Sequence, residues 1–429
     1  MHHDTPIRRS ALALLTVLLL GGGALSYSSC SKDDDVTTTQ RPYMPKEEGH
    51  ATPEESDEYE PELTGTVRYD EYKLTAYHFN YRSQDPYGNP AILSAAITIG
   101  DEVTKAQPAR GLLLYNRTTA FKEADAPTQG ELTAQKIIVG SGLIAISADH
   151  YGFGATADQH QSYGIGIPNA QSSVDALIAA KKLLPKLGYR WNDKFLFNVG
   201  YSQGGQTALA VVRIITEQHP ELKITQTIVG GGTYDIGATY RSFIESDYSD
   251  HPGTVVAVIL SFNEFFQLNI SREKLFKEPL LSHIDEWYYS KNYSLSGVDR
   301  RIGDVPVSQY LSDELLDLNS ETSRKLMAAF DKDNLCAGWT PRKNEKITLV
   351  HNKTDKTVPY VNAEQFYQFA HNEHGVTDIE MYARDWGRQF DQSEHETGAI
   401  YFSLKVVTSV SGTFGILPWI SLQTIKEFF

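Results

Sequence analysis

The chain has 429 residues, a formal net charge of −15 and only two cysteines, Cys30 and Cys336. So acidic a chain argues against nucleic acid or an anionic membrane surface as its working partner, because both repel negative charge. The cysteine count excludes a disulfide framework, and the length suits one large α/β domain with an insertion better than two independent domains.

The first 29 residues predict a secretory signal peptide. Arg8 and Arg9 precede an apolar run at 11–20, which is too short to span a bilayer as a helix. The small residues just before Cys30 resemble a bacterial lipoprotein cleavage site, and this resemblance implies that Cys30 becomes the lipidated N-terminus. Ordinary secretion, with Cys30 present by chance, is the alternative.

The segment after Cys30 predicts a tether. Residues 31–35, Ser-Lys-Asp-Asp-Asp, resemble the acidic segment that follows the lipidated cysteine in surface lipoproteins of the Bacteroidetes. The resemblance implies an outer membrane lipoprotein exposed at the cell surface, with retention on the periplasmic side as the alternative. Residues 30–62 are rich in Thr, Pro, Glu and Asp, which predicts a flexible acidic spacer.

From residue 63 the chain alternates strand and helix patterns up to residue 233. An aromatic alternating stretch and a second strand, joined by a turn-rich segment, predict an antiparallel hairpin. Short apolar runs separated by helical patterns then predict a parallel sheet with helices on both faces, an α/β fold with a mostly parallel, doubly wound sheet. The predicted strands are 72–81, 91–99, 110–115, 143–148, 195–200 and 224–229, and the predicted helices are 129–141, 172–187 and 206–217.

One junction between strand and helix contains the sequence Gly-Tyr-Ser-Gln-Gly at 200–204. This Gly-x-Ser-x-Gly pattern is typical of a nucleophile elbow, in which the serine occupies a strained backbone position above the sheet. The residues two before and two after the serine must be small so that strand and helix can approach. The strand before and the helix after the motif favour Ser202 as a nucleophile over a serine in an ordinary glycine-rich turn.

The alternation stops at residues 234–345, where mainly helical patterns occur. They predict a helical cap inserted after the sixth strand, and the core resumes at 346–429. The predicted helices of the cap are 238–245, 254–267, 273–289, 307–318 and 323–330. Its aromatic residues at helical spacing are expected to be core rather than pocket lining, namely Phe262, Phe265, Phe266, Trp287, Tyr288 and Tyr289.

A serine nucleophile needs a base and a third group that orients the base. Asp355 follows a predicted strand at 346–351, so it lies at the carboxyl end of the sheet, although an N-cap-like aspartate in a turn is the alternative. His395 follows the last predicted strand, at 378–383, and is assigned to a loop there. His371 and His374 end a helix closed by glycine, which favours a surface location.

Together these residues resemble the α/β-hydrolase fold superfamily and, within it, the secretory lipase and esterase branch of bacteria and fungi. The resemblance runs from about residue 72 to the end and rests on the elbow, on Asp-His-Tyr-Gly-Phe-Gly at 149–154 and on the 355–359 turn. It implies a serine hydrolase that cleaves carboxylic esters through Ser202, Asp355 and His395. No cofactor or metal is expected, and Asp149 and Asp175 are given structural roles.

The loop after the first central strand departs from this family. Members usually carry His-Gly-Thr there, where this chain has Asn116, Arg117 and Thr118. Because an oxyanion hole uses backbone N–H groups, other side chains are compatible with it, and the resemblance implies Gln203 and Thr118 as the donors. Two other functions stay open: a serine peptidase of the prolyl-oligopeptidase type, and an inactive binding lipoprotein. The partners expected are an ester substrate and, through the anchor, a membrane.

Overall fold

The computed structural model describes residues 59–130, 141–389 and 392–415. The predicted signal peptide, Cys30 and nearly all of the tether lie outside these residues, as does the helix predicted at 129–141 apart from its ends. Within the described ranges, no helix has both the length and the apolar character that crossing a membrane requires.

The described strands form one nine-stranded sheet in the order β1-β2-β3-β5-β4-β6-β7-β8-β9. β1 pairs with β2, β2 with β3 and β3 with β5, and these three pairs are antiparallel. The remaining neighbours, β5-β4-β6-β7-β8-β9, all pair in parallel. A mostly parallel sheet is therefore confirmed. The strands are Glu62–Tyr69, Leu74–Gln84, Pro90–Gly100, Gly111–Asn116, Leu143–Ala148, Leu196–Tyr201, Gln226–Gly230, Lys346–Asn352 and Asp378–Arg384.

The central strands are apolar because both faces of the sheet are covered. Every residue of β4, β5, β6 and β7 is buried, as expected for parallel strands between two layers of helices. On one face, α1 (Gly166–Lys186) and α2 (Gln203–Gln218) pack against the strands and against each other. On the other face lies α11 (Glu394–Thr413), whose Phe402, Val406 and Val410 join the core formed by β4 and β6.

The sequence-based strand count was one too low. β1 (Glu62–Tyr69) pairs with β2 at the edge of the sheet, so the helical insertion follows the seventh strand and not the sixth. Six of the eight residues in β1 are exposed and none is buried. Its sequence nevertheless alternates polar residues with Leu63, Val67 and Tyr69, a strand signal that the predicted hairpin, which begins at residue 72, does not include. Glu62, assigned to the tether, is its first residue.

The segment between β7 and β8 is helical, in agreement with its sequence pattern. Its first two helices, α3 (Ile236–Ser246) and α4 (Pro252–Phe265), line the pocket beside Ser202 that is described below. The remaining helices are α5 (Leu280–Ile284, continued as a π-helix over Asp285–Tyr289), α6 (Leu295–Ile302), α7 (Val307–Tyr310), α8 (Asp313–Leu316) and α9 (Glu321–Lys332). Of these, α6 had no counterpart among the predicted helices.

After β8 the chain forms α10 (Val361–Tyr367), which continues as a π-helix over Gln368–Glu373. The backbone then turns at Gly375, with φ of 69°, and enters β9. His371 is exposed at this helix end, as the sequence predicted, whereas His374 is half-buried, with its ring 4.6 Å from that of Phe369 between centroids. Short 3-10 helices occur at Glu123–Asp125, Gly154–Thr156 and Arg272–Lys274.

Candidate active site

Ser202 lies at the turn between β6 and α2 in a backbone conformation that non-glycine residues rarely adopt, with φ of 56° and ψ of −123°. The two glycines of the motif make this turn sterically feasible. A Cβ on Gly200 would lie 2.0 Å from the carbonyl oxygen of Gly204, and a Cβ on Gly204 would lie 2.1 Å from that of Asn116. Both distances are too short for any side chain, so the requirement for small residues has a direct steric cause.

Three of the residues singled out by the sequence meet in this turn through two hydrogen bonds. The Nε2 atom of His395 lies 2.9 Å from Ser202 Oγ, and its Nδ1 atom lies 2.6 Å from Asp355 Oδ2. With the imidazole proton on Nδ1, His395 donates to the carboxylate and accepts from the serine hydroxyl. All three lie at the carboxyl end of the sheet, after β6, after β8 and beyond β9.

The Asp355 carboxylate uses its two oxygens for different purposes. Oδ1 accepts hydrogen bonds from the backbone N–H groups of Thr357 and Val358, both at 2.9 Å, whereas Oδ2 faces His395. The turn-forming alternative and the orienting role are thus compatible in one side chain. Complete burial would raise the pKa of Asp355, but the charge and hydrogen bond of His395 outweigh it and hold the pKa below its usual value. Asp355 therefore remains ionised.

His351, the sixth residue of β8, supports the same turn from below. Its Nε2 donates to the carbonyl oxygen of Val358 at 2.8 Å and lies 3.8 Å from Asp355 Oδ2. Burial lowers the pKa of His351, so the ring is neutral near pH 7. A neutral donor at this place holds the Asp355 turn without adding a second cation beside His395.

His395 differs in one respect from its assignment to a loop, because it is the second residue of helix α11. Ser393 caps this helix: its Oγ accepts from the Glu396 N–H, and the Glu396 carboxylate accepts from the Ser393 N–H. This reciprocal pattern is a capping box. The spacing Ser-x-x-Glu at 393–396, followed by apolar residues at helical intervals, is the sequence signal that would have located the helix.

The loop that follows β4 packs against the first turn of α2. The Gly204 backbone lies against the carbonyl groups of Asn116 and Arg117, and the Asn116 amide donates to Asn198 Oδ1 at 2.8 Å. Within the part of the chain that the structure describes, the backbone N–H groups of Gln203 and Thr118 donate to no protein acceptor. Both N–H groups are therefore available to a ligand next to Ser202.

Arg117, at the position for which the family resemblance implied glycine, is almost fully buried behind this loop. Its Nε donates to the Asp149 carbonyl oxygen at 2.9 Å and its Nη1 to the Thr118 carbonyl oxygen at 3.1 Å. The guanidinium also lies over the Phe153 ring, 4.6 Å from its centroid. Arg117 does not adopt a positive φ, so the backbone here does not require glycine.

The two aspartates given structural roles both join separate segments. Asp149 is fully buried and accepts hydrogen bonds from the Ser94 hydroxyl and from the N–H and hydroxyl of Thr128. Burial is the main cause that raises the pKa of Asp149 to about 6. Asp175 accepts from the Ser83 hydroxyl and the Gln171 amide. Neither carboxylate bonds to His395.

An apolar pocket opens beside Ser202 and is covered by the helical insertion. Its walls come mainly from α3 and α4, and among the described residues no charged side chain lines it. The aromatic residues predicted to be core do not line it but belong to the core or pack against it. Cys336 also packs against the core as a free cysteine. The apolar residues around the pocket include Ile236, Phe243, Val255, Val258, Ile259 and Phe330.

Comparisons with known proteins agree with this architecture. The family model described as "Secretory lipase" matches residues 121–401, which is well over half of the chain and includes Ser202, Asp355 and His395. The search of curated proteins gave no match.

Solved structures resemble the fold at low sequence identity. A protein from Legionella pneumophila has a TM-score of 0.71 at 17% identity, with 82% of this chain and 97% of that chain covered. The rice cell wall degrading esterase LipA from Xanthomonas oryzae has a TM-score of 0.66 at 18% identity, covering 84% and 97%. Candida antarctica lipase A in its closed state has a TM-score of 0.63 at 15% identity, covering 83% of each chain.

These likenesses show that the fold is that of the α/β-hydrolases, and the family match extends through the parts of the chain that supply the serine, the aspartate and the histidine. An ester is accordingly the substrate of this protein. The chain belongs to the secretory lipase family, and it is a serine hydrolase that cleaves carboxylic esters.

Proposed function

We propose that Ser202, His395 and Asp355 form the catalytic triad and that ester cleavage proceeds through an acyl-enzyme. The observation behind this assignment is the unbroken pair of hydrogen bonds, from Ser202 Oγ to His395 Nε2 and from His395 Nδ1 to Asp355. A serine hydroxyl becomes an effective nucleophile only when a positioned base takes its proton, and this arrangement supplies that base.

The first half of the reaction acylates the enzyme. Ser202 Oγ bonds to the ester carbonyl carbon while its proton moves to His395 Nε2, and ionised Asp355 stabilises the resulting imidazolium. The carbonyl oxygen becomes an oxyanion that accepts hydrogen bonds from the N–H groups of Gln203 and Thr118. When the carbon–oxygen bond to the alcohol breaks, His395 gives its proton to the leaving alkoxide, and the acyl group stays on Ser202.

The second half releases the acid. His395, now neutral, takes a proton from water as the water oxygen attacks the acyl carbon, and the same two N–H groups stabilise the second oxyanion. Breaking the bond to Ser202 Oγ returns the proton from His395 to the serine and frees the carboxylic acid. Each proton removed is thereby restored within one cycle.

The pocket indicates which part of the ester the insertion binds. Because its walls are mostly apolar and none of the described lining residues is charged, we propose that it takes a hydrocarbon acyl chain, which gains free energy from leaving water. A charged group would lose hydration there without finding an opposite charge among the described lining residues. The Candida antarctica neighbour, a lipase, is consistent with such a substrate.

The test is hydrolysis of p-nitrophenyl esters from acetyl to palmitoyl by the wild type and by Ser202→Ala. We expect turnover to fall roughly 10⁶-fold in the variant, as when a serine nucleophile is removed from other hydrolases, and we expect esters longer than acetyl to be preferred. A variant that keeps wild-type turnover would exclude Ser202 as the nucleophile. A strict preference for acetyl would contradict the assignment of the pocket.

We also propose that Cys30 is lipidated and anchors the protein in the outer membrane, facing the cell surface. The proposal rests on the signal-like segment before Cys30 and on the acidic residues 31–35 after it. Cys30→Ser is expected to move the protein from the membrane fraction to the soluble fraction. If protease added to intact cells leaves the wild-type protein uncut, the protein faces the periplasm instead.

A further inference from the structure

Tyr201, the residue before Ser202, reaches across the site to the backbone of His395. Its side chain is buried, and its hydroxyl donates to the His395 carbonyl oxygen at 2.5 Å. The tyrosine ring also lies 5.0 Å from the imidazole, measured between centroids. Tyr201 therefore precedes the proposed nucleophile in the chain and also hydrogen-bonds to the backbone of the proposed base.

Three glycines form the space in which the Tyr201 side chain lies. A Cβ added to Gly230 would lie 2.8 Å from its Cδ2, and one on Gly231 would lie 2.7 Å from its Cζ and hydroxyl oxygen. A Cβ on Gly398, in the second turn of α11, would lie 2.4 Å from the hydroxyl oxygen. Any larger residue at these places would push the ring away from His395, so the surroundings fit a tyrosine at this position closely.

A second side chain fixes the neighbouring carbonyl group. Asn352, fully buried at the end of β8, donates from Nδ2 to the Glu394 carbonyl oxygen at 2.8 Å and to that of Gly387 at 3.0 Å. Two consecutive carbonyl groups in the first turn of α11 thus accept hydrogen bonds from side chains at the ends of β6 and β8. These bonds tie the start of the helix to the sheet that carries Ser202 and Asp355.

We infer that Tyr201 is a positioning residue for catalysis: its hydroxyl sets the height of His395 above the sheet and thereby the distance from His395 Nε2 to Ser202 Oγ. The inference rests on the proposed triad. Burial raises the pKa of Tyr201 well above its usual range, so the hydroxyl remains a donor throughout the working pH range. Since proton transfer depends steeply on the alignment of donor and acceptor, a small drift of the first turn slows both acylation and deacylation.

The chain offers a matched control for removing this hydroxyl. Tyr81 is as deeply buried as Tyr201, and its hydroxyl also donates to a backbone carbonyl oxygen, that of Ser172, at 2.9 Å. Tyr201→Phe and Tyr81→Phe each remove one buried hydroxyl that bonds to a carbonyl group. The Tyr81 hydroxyl also lies 3.0 Å from Ser172 Oγ, so we expect Tyr81→Phe to lower Tm at least as much as Tyr201→Phe does.

The kinetics distinguish positioning from general support of the fold. For Tyr201→Phe we expect kcat on a p-nitrophenyl ester to fall about tenfold, which corresponds to 1.4 kcal/mol, with KM unchanged, and the rate of inactivation by a fluorophosphonate probe to fall in parallel. For Tyr81→Phe we expect wild-type kcat. Wild-type kcat in Tyr201→Phe, or an equal loss in both variants, would overturn the inference.

Gly398→Ala tests the same contact without removing the tyrosine. Its methyl group would displace the Tyr201 hydroxyl from the His395 carbonyl, so kcat should fall as in Tyr201→Phe, and the double variant should be no slower than Tyr201→Phe alone. If Gly398→Ala keeps wild-type kcat, the inference fails even where Tyr201→Phe does not fold. These outcomes are separate from those of Ser202→Ala, whose full activity would instead overturn the triad itself.

Discussion

The two backbone N–H groups proposed to bind the oxyanion are held in place by different means. The Gln203 N–H is positioned by its own stretch of chain, because the left-handed conformation of Ser202 leads directly into the first turn of α2. The Thr118 N–H lies in a loop after β4 whose anchor is a side chain. Arg117 ties that loop to the Asp149 carbonyl group and to the Phe153 ring.

The proposed oxyanion hole therefore has two halves, the Gln203 N–H at the start of α2 and the Thr118 N–H in the loop after β4, and they should respond differently to substitution. A donor fixed by backbone geometry depends on small residues that permit a close approach, so substitution harms it by adding atoms. A donor fixed by a side chain depends on particular hydrogen bonds, so substitution harms it by removing them. In the first half of the site the cause is steric, and in the second it is electrostatic.

The two halves meet at Gly204. Its Cα faces the Asn116 and Arg117 carbonyl groups so closely that an added Cβ would lie 2.1 Å from one oxygen and 2.8 Å from the other. A substitution at this single position must move the start of α2 away from the loop. It would therefore separate the Gln203 N–H from the Thr118 N–H and enlarge the proposed oxyanion hole.

The half of the site that is fixed by close approach should be the more sensitive to substitution, and Gly204→Ala tests it. We predict a fall in kcat/KM of about 100-fold or more, since a displacement of about 1 Å in a catalytic group has that consequence. We also predict a loss of roughly 1–3 kcal/mol in the free energy of unfolding from overpacking. Ester hydrolysis and denaturant unfolding measure the two quantities.

Gly412→Ala provides the control for Gly204→Ala. Gly412 lies near the end of α11, and outside this helix none of the described residues has an atom within 4 Å of an added Cβ, so alanine there should leave activity unchanged and raise stability by roughly 0.5–1 kcal/mol. Near-wild-type activity in Gly204→Ala would mean that the loop yields to the methyl group, and the proposed dependence on close approach would be wrong.

The same contrast explains how much of the site could be predicted from the sequence. The elbow was predictable because its steric requirements fall on five consecutive residues, which leaves a local pattern. Asp355 and His395 were predictable as residues that follow strands at the carboxyl edge of a parallel sheet. The partners of Arg117 were not, since Asp149 and Phe153 are distant in the sequence and no local signal pairs them with residue 117.

The fold shows a similar division. The buried central strands follow from hydrophobic patterns, and their predicted bounds agree with the structure to within two residues. The helices agree less well: α1 begins at Gly166 and not at 172, the helix predicted at 273–289 begins only at Leu280, and the one predicted at 307–318 is two short helices. β1 was missed although Leu63, Val67 and Tyr69 alternate with polar residues, because the segment was assigned to the end of the tether and the predicted hairpin began at residue 72. Helix α11 was missed although its capping box at 393–396 is a recognised start signal.

Arg117→Lys is expected to have the smaller effect and tests the other half of the comparison. Lysine keeps the charge but lacks the planar fork that reaches two carbonyl groups while stacking on Phe153. We predict that kcat/KM falls roughly tenfold, less than the 10²–10³-fold that follows complete loss of an oxyanion donor, because the Thr118 N–H is displaced and not removed.

Arg342→Lys is the matched control for Arg117→Lys, because Arg342 also donates to two backbone carbonyl groups, those of Leu222 and Ile215, away from the site. Both lysine variants should be less stable than the wild type, but only Arg117→Lys should lose activity. If both lysine variants keep full activity, the loop positions the Thr118 N–H without help from Arg117. Backbone geometry would then fix both N–H donors of the proposed oxyanion hole. A loss confined to Arg117→Lys would instead mean that this chain uses a buried guanidinium to hold the loop that carries the Thr118 N–H.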